Sequence, residues 1–145
     1  MNVIIENRNS LEIHAYLYEN AMAFVPPLIP RINLQEYADK LALNAVQFWI
    51  FNEQKAVGFA ACYFNNPDGE FGFISSISIT EKVQGSGMGS SLLNAIFTYG
   101  RQRAYKQIRL EVFQENTTAI DFYLKRGFTL FNQTENKLTL SYNLV

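Results

Sequence analysis

The 145-residue chain predicts a mixed α/β fold of the α+β kind, in one domain spanning 1–145. Three observations carry that expectation. Apolar runs at Val46–Phe51, Ala56–Phe64 and Phe71–Ile79 are separated by short turns, the pattern of an antiparallel meander. A glycine-rich turn, Gly85-Ser-Gly-Met-Gly89, then opens a segment with Leu92, Leu93, Ile96 and Phe97 at helical spacing. Strand and helix patterns continue to alternate to the C-terminus. The order is β-α-α-β-β-β-α-β-α-β-β, a mixed, mostly antiparallel sheet of about six to seven strands flanked by four helices.

Asn2–Glu6 is a short apolar run and predicts the first strand. Ser10 can cap a helix that carries Leu11, Ile13, Ala15, Leu17 and Tyr18 to about Ala21. Phe24-Val-Pro-Pro-Leu-Ile-Pro30 cannot be a helix interior or a central strand, because proline removes donors and fixes φ. It predicts a stiff loop with exposed apolar groups, either a plain connector or a wall of a pocket. Asn33 with Glu36 makes a capping pair for a second helix, whose Leu34, Tyr37, Ala38, Leu41 and Ala45 share a face. After the meander, whose last turn is Asn65–Gly69, a helix is expected over Ser86–Ala104 and a strand over Gln107–Val112. A last helix, Thr117–Arg126, stops at Gly127, and Phe128–Thr134 with Lys137–Asn143 form a closing hairpin.

Composition narrows the classes of function. Hydrophobic residues make up 48% and charged residues 17%, too many apolar side chains for a disordered chain. A net charge of -1 argues against nucleic acid as a partner. One cysteine excludes an internal disulfide and a cysteine-based metal cluster, and no metal set can be assembled around His14, the single histidine. Cys62 and Trp49 read as core residues. No run approaches the roughly 18 apolar residues of a membrane span. Met1–Glu6 lacks the basic head and apolar core of a signal peptide, so a cytoplasmic protein with no membrane partner is expected.

The glycine turn carries chemistry. Glycine lets the backbone approach a ligand and adopt positive φ. The first turn of a helix leaves N–H groups unpaired under a partial positive charge, and the combination suits an anion such as phosphate. The charge balance agrees: residues 1–80 hold 4 Lys/Arg against 8 Asp/Glu, and residues 81–145 hold 8 against 5. No lysine follows these glycines, so a P-loop fails. The dinucleotide fingerprint fails too, since Glu81–Gln84 separates strand from turn and a meander precedes it.

Gln84-Gly-Ser-Gly-Met-Gly89 is similar to the Gln/Arg-x-x-Gly-x-Gly/Ala turn of the GNAT family of N-acetyltransferases. A second stretch, Leu110–Phe128, resembles that family's other motif through Asn116, Ala119, Tyr123 and Gly127-Phe128, with Asn116 placed 27 residues after Gly89. The element order of the whole chain resembles the family's fold, and the connector Ala23–Leu28 with Glu36–Leu41 looks like a bacterial single-domain subgroup. The resemblance implies acetyl-CoA as cofactor. Its pyrophosphate would rest on the amides of Gly85, Ser86, Gly87, Met88, Gly89 and Ser90, with the side chain of Gln84 assisting. Its pantetheine arm would pair with the main chain around Ile77, Ser78 and Ile79, in a slot opened by the parting of two strands. Asn116, Ala119, Phe122 and Tyr123 would line the other side.

The implied reaction moves an acetyl group from a thioester to an amine. An alkyl amine has a pKa of about 10.4, so its proton must be accepted near neutral pH, and the departing thiolate is better released with a donor beside it. Tyr123 matches the family's acid position; its other reading is a core tyrosine. Glu111 lies 12 residues before it, a Glu-to-Tyr spacing similar to that of the ribosomal-protein alanine acetyltransferase branch, where this Glu is the proposed base. Pairing of Glu111 with Arg109 or a lysine is the competing reading, and Glu70 or ordered water could serve instead. Phe24, Pro26 and Ser76 are candidates for the acceptor pocket, and Ser75, Ser76 and Ser78 could bond substrate or neighbouring backbone. The acceptor expected is a small-molecule amine or a protein N-terminus. The apolar connector leaves room for a homodimer. The alternative function is a module that holds acyl-CoA without turnover.

Overall fold

The computed structural model describes residues 2–145 and, among these, contains seven strands and four α-helices in the expected order. They are β1 (Val3–Ile5), α1 (Ser10–Asn20), α2 (Leu34–Asn44), β2 (Val46–Asn52), β3 (Lys55–Tyr63) and β4 (Phe71–Ile79). After the glycine turn come α3 (Met88–Gln102), β5 (Gln107–Phe113), α4 (Thr117–Lys125), β6 (Thr129–Gln133) and β7 (Lys137–Asn143). One sheet runs β1-β2-β3-β4-β5-β7-β6. Every pairing is antiparallel except β4 with β5, which is parallel.

Side-chain chemistry at the helix ends sets their boundaries. Asn9 rather than Ser10 caps α1, its side chain accepting from the Glu12 N–H at 2.9 Å, which leaves Ser10 free to bond Asp39 on α2. Asn33 caps α2 by accepting from Glu36 N–H at 3.1 Å. The third helix starts at Met88, not Ser86, because Gly87 sits at φ +85, outside the helical region. It stops at Gln102, and Ala104 turns the chain at φ +62. Gly127, at φ +101, ends α4 as expected.

Strand alternation gives the sheet two apolar faces. Phe48, Ile50, Ala60, Cys62, Ile74, Ile108 and Leu110 face α3 and α4, where Leu92, Leu93, Ile96, Phe97 and Tyr123 meet them. Trp49, Phe59 and Ala61 point the other way, onto Ile13, Leu17, Ala38 and Leu41 of α1 and α2. The proline-bearing connector is less exposed than expected. Leu28 is buried in that second core, its N–H donating to the Ala21 carbonyl, while Val25 and Ile29 stay exposed.

One irregularity positions the site. Against β3, Ser76 pairs with Ala61 and Ile74 with Cys62, so Ser75 is an extra, bulged residue in β4. A bulge bends and twists its strand. On the other edge of β4 the parallel ladder pairs Phe71–Ile74 with Gln107–Leu110 and goes no further. From Ser75 onward β4 and β5 part.

Candidate active site

The parted strands open a cavity of about 790 Å³, within the range of ligand sites. Its walls are the free ends of β4 and β5, the start of α3, one side of α4 and the α1–α2 connector. The Thr80 N–H bonds the Val57 carbonyl on β3. By strand alternation the peptide groups of Ile77 and Ile79 point away from β3 and into the gap. They are a sheet edge without a partner strand.

The glycine turn lies at one end. Gly85 and Gly87 take φ +84 and +85, and a Cβ on either would meet nothing within 4 Å. The first helical bond of α3 runs from Ser91 N–H to the Gly87 carbonyl at 3.1 Å, so the N–H groups of Met88, Gly89 and Ser90 precede it unpaired within the helix. Gly89 serves packing: a Cβ there would stand 3.0 Å from the Phe122 ring. Gln84 differs from the expectation. Its Nε2 donates to the Ile79 carbonyl at 3.0 Å and closes the end of β4, because the intervening turn folds that side chain back over the strand. Gln84, Gly85, Met88 and Gly89 line the cavity, whereas Ser86, Gly87 and Ser90 stand outside its wall. Sequence reading missed Arg126, whose guanidinium lies 3.6 Å over the Phe122 ring and donates to Ser90 Oγ at 2.8 Å. That puts a cation beside the start of α3.

Asn116 caps α4 by accepting from Ala119 N–H at 3.2 Å, which commits its oxygen and leaves its NH₂ for a ligand. Ala119, Phe122 and Tyr123 follow on the cavity side. The Tyr123 ring packs edge-on against Phe122 and Phe128. Burial pushes its phenol well above the usual value, the nearby Cys62 adding to the rise.

Across the sheet, Glu111 lines the cavity about half exposed, its Oε1 3.9 Å from Lys137 Nζ. The expected competition from Arg109 is absent: that guanidinium bonds Gln107 and sits between the rings of Phe71 and Phe131. Glu70 is drawn away to Lys106 at 3.6 Å and is not part of the wall. The serines of β4 divide. Ser75 Oγ lies 2.7 Å from the Tyr37 hydroxyl and Ser78 Oγ 3.0 Å from that of Tyr16. Ser76 Oγ is buried in the cavity wall with no partner among the described residues. Phe24 lines the cavity; Pro26, half-buried, does not, and its carbonyl accepts from Arg31. Arg31, Tyr37, Phe113 and Lys137 complete this end. The family resemblance implies residues 24–32 and roughly 131–137 as acceptor walls, which include Arg31 and Lys137. Tyr37 and Phe113 went unnoticed in the sequence, since contact across elements has no local signature.

The raised groups around the cavity make one stability prediction. Burial lifts the phenols of Tyr16, Tyr37 and Tyr123 above 10.0 and the Cys62 thiol well above 9.0. An unfolded chain loses these protons first, so it binds fewer protons than the folded one above that range, and stability falls as pH rises. The melting temperature should hold to about pH 9 and drop steadily above it. A flat melting curve through about pH 11 would show these groups to be solvated.

Comparison with known proteins agrees with this architecture. Solved neighbours include the ribosomal-protein-S18-alanine N-acetyltransferase of Escherichia coli, at TM-score 0.77 and 19% identity over 98% of this chain and 94% of that one. A GNAT family acetyltransferase of Elizabethkingia anophelis, solved with acetyl-CoA bound, matches at TM-score 0.68 and 18% identity over 80% and 86%. At such identities the likeness is one of fold. An uncharacterised N-acetyltransferase of Methanocaldococcus jannaschii is 35% identical over 78 residues, 51% of this chain and 34% of that protein, so the match spans about a third of the relative's length. The sequence profile of the acetyltransferase (GNAT) family matches residues 14–128, and the chain belongs to that family.

Proposed function

We propose that the chain is an N-acetyltransferase that passes the acetyl group of acetyl-CoA to a primary amine by direct attack in a ternary complex. The observation that carries this reading is the parting of β4 and β5 beyond Ile74 and Leu110, with the glycine turn at one end of the gap. The residues suit the coenzyme. Positive-φ glycines with open space, unpaired N–H groups at the head of α3, and Arg126 beside Ser90 offer a seat for its phosphates. The peptide groups of Ile77 and the N–H of Ile79, which have no partner strand, suit an amide-bearing arm, with the Asn116 amide opposite. The free Cys62 thiol suits the reducing cytoplasm.

When bound, acetyl-CoA supplies a thioester whose C–S bond breaks as the amine nitrogen bonds the acetyl carbon. Glu111 and Tyr123 belong to opposite faces of the sheet, Glu111 with the α1–α2 side and Tyr123 in the α3–α4 core. The gap lies between them. In this reading the amine arrives from the α1–α2 side and gives its proton to the Glu111 carboxylate. The Tyr123 hydroxyl, kept protonated by burial, gives its proton to the sulfur on the other side. The Ser76 hydroxyl, buried without a partner, would in this reading bond the incoming nitrogen.

Glu111→Gln tests the base. A base works only when deprotonated, so the variant should lose the acid limb of the pH–rate profile along with about tenfold to a hundredfold of kcat/KM. An unmoved pH–rate profile would exclude Glu111.

A further inference from the structure

The acceptor end of the cavity has an unbalanced charge that points to what the acceptor carries besides its amine. Three charged side chains line the cavity, Arg31, Glu111 and Lys137, so two cations face one carboxylate. Both cations gather on one ring: the Arg31 guanidinium lies 5.0 Å, and Lys137 Nζ 4.9 Å, from the centre of Phe113. Lys137 Nζ is also 3.9 Å from Glu111 Oε1. Arg31 is held in place rather than free to wander, because its Nε and Nη2 donate to the carbonyls of Pro27 and Pro26 at 3.3 and 3.1 Å. Those bonds use two of its five N–H donors; among the described residues no carboxylate pairs with it.

We propose that the Arg31–Phe113–Lys137 cluster is an anion subsite, and that the acceptor is a small amine bearing a carboxylate or phosphate beside its amino group. The inference rests on the acetyl-transfer reading of the gap. The coenzyme's own phosphates do not account for the cluster, since they have the head of α3 and Arg126 on the other face of the sheet. An anion between Arg31 and Lys137 would place the attached amine next to Glu111, which Lys137 already touches. It would also draw Lys137 away from Glu111 and leave that carboxylate to accept a proton. Planar guanidinium donors suit carboxylate and phosphate oxygens equally well, so both sources are carried into the test. A polycationic amine would meet the same two charges as repulsion.

The experiment measures acetyl-CoA-dependent thiol release by the full chain with matched pairs: α-amino acids against their carboxamides, glucosamine 6-phosphate against glucosamine, and spermidine as the cation. In at least one pair the anionic member should show kcat/KM at least tenfold above its neutral partner, with the gap narrowing as salt rises because the subsite is half exposed. The pair that responds tells carboxylate from phosphate. Arg31→Gln and Lys137→Met should bring that ratio toward one, which a merely structural role would not do. A second readout is the melting temperature of the CoA complex, which anionic probes should raise in the wild type and not in Arg31→Gln. If probes raise it while no amine is acetylated, the subsite stands and the transfer reading falls. If neutral amines or spermidine react as well as their anionic counterparts, or the ratio survives both substitutions, the subsite is wrong while transfer stands. Neither turnover nor a shift with any anionic probe would also overturn it.

Discussion

Replacing Tyr123 with Phe is expected to lower kcat by about a hundredfold, within the usual worth of a positioned proton donor, while acetyl-CoA binding stays within about twofold. The substitution removes one oxygen and keeps the ring, so the edge-on packing against Phe122 and Phe128 survives. The hydroxyl keeps its proton for a specific reason. Burial raises its pKa, Cys62 adds to the rise, and no hydrogen bond from a protein group offsets it. A phenol in that state carries its proton throughout the working range, and the alkaline limb of the rate profile should therefore belong to another group. Single-turnover kinetics separate the chemical step from product release and make the loss attributable. Should Tyr123→Phe turn over at the wild-type rate, Tyr123 is a core residue that happens to border the gap, and the thiolate must leave unprotonated or take its proton from water.

The elements that position this site were legible in the sequence wherever the signal is local. The meander declared itself through apolar runs cut by turn residues, and α2 through Asn33 and Glu36. The glycine turn was readable as an anion seat because glycine at positive φ is a property of one residue, and Gly85 and Gly87 adopt it. Non-local arrangements were not readable. The bulge at Ser75 depends on the register of β4 against β3, which no stretch of β4 encodes. The ladder to β5 ends at Ile74, the residue just before that bulge. The side chain of Gln84 was expected over phosphate and instead holds the Ile79 carbonyl, a choice settled by the turn between them. The two cations on Phe113 come from the α1–α2 connector and from the start of β7, 106 positions apart as 137 minus 31, and only the folded sheet brings them to one ring. Local patterns therefore named the cofactor end, and tertiary packing made the acceptor end.

Gly87→Val is expected to weaken acetyl-CoA binding more than tenfold, at least about 1.4 kcal/mol. Gly87 is the residue before α3, at φ +85, and its Cβ position faces open space. A β-branched side chain there does two separable things. It strains the backbone, because a left-handed conformation costs a side-chain-bearing residue roughly 1–2 kcal/mol. It also fills open space beside the head of α3, whose Met88, Gly89 and Ser90 N–H groups an anion would have to approach. Gly69→Val isolates the first effect. That glycine turns the chain between β3 and β4 at φ +66, and its added Cβ would meet nothing nearer than the Ala104 carbonyl at 3.6 Å. Both variants should lose similar stability without ligand. In the presence of coenzyme A at about 100 times the wild-type dissociation constant, wild type and Gly69→Val should gain about 2.7 kcal/mol and Gly87→Val much less. Equal gains in both variants would mean that phosphate is held somewhere other than the head of α3. The parted strands would then need a different occupant.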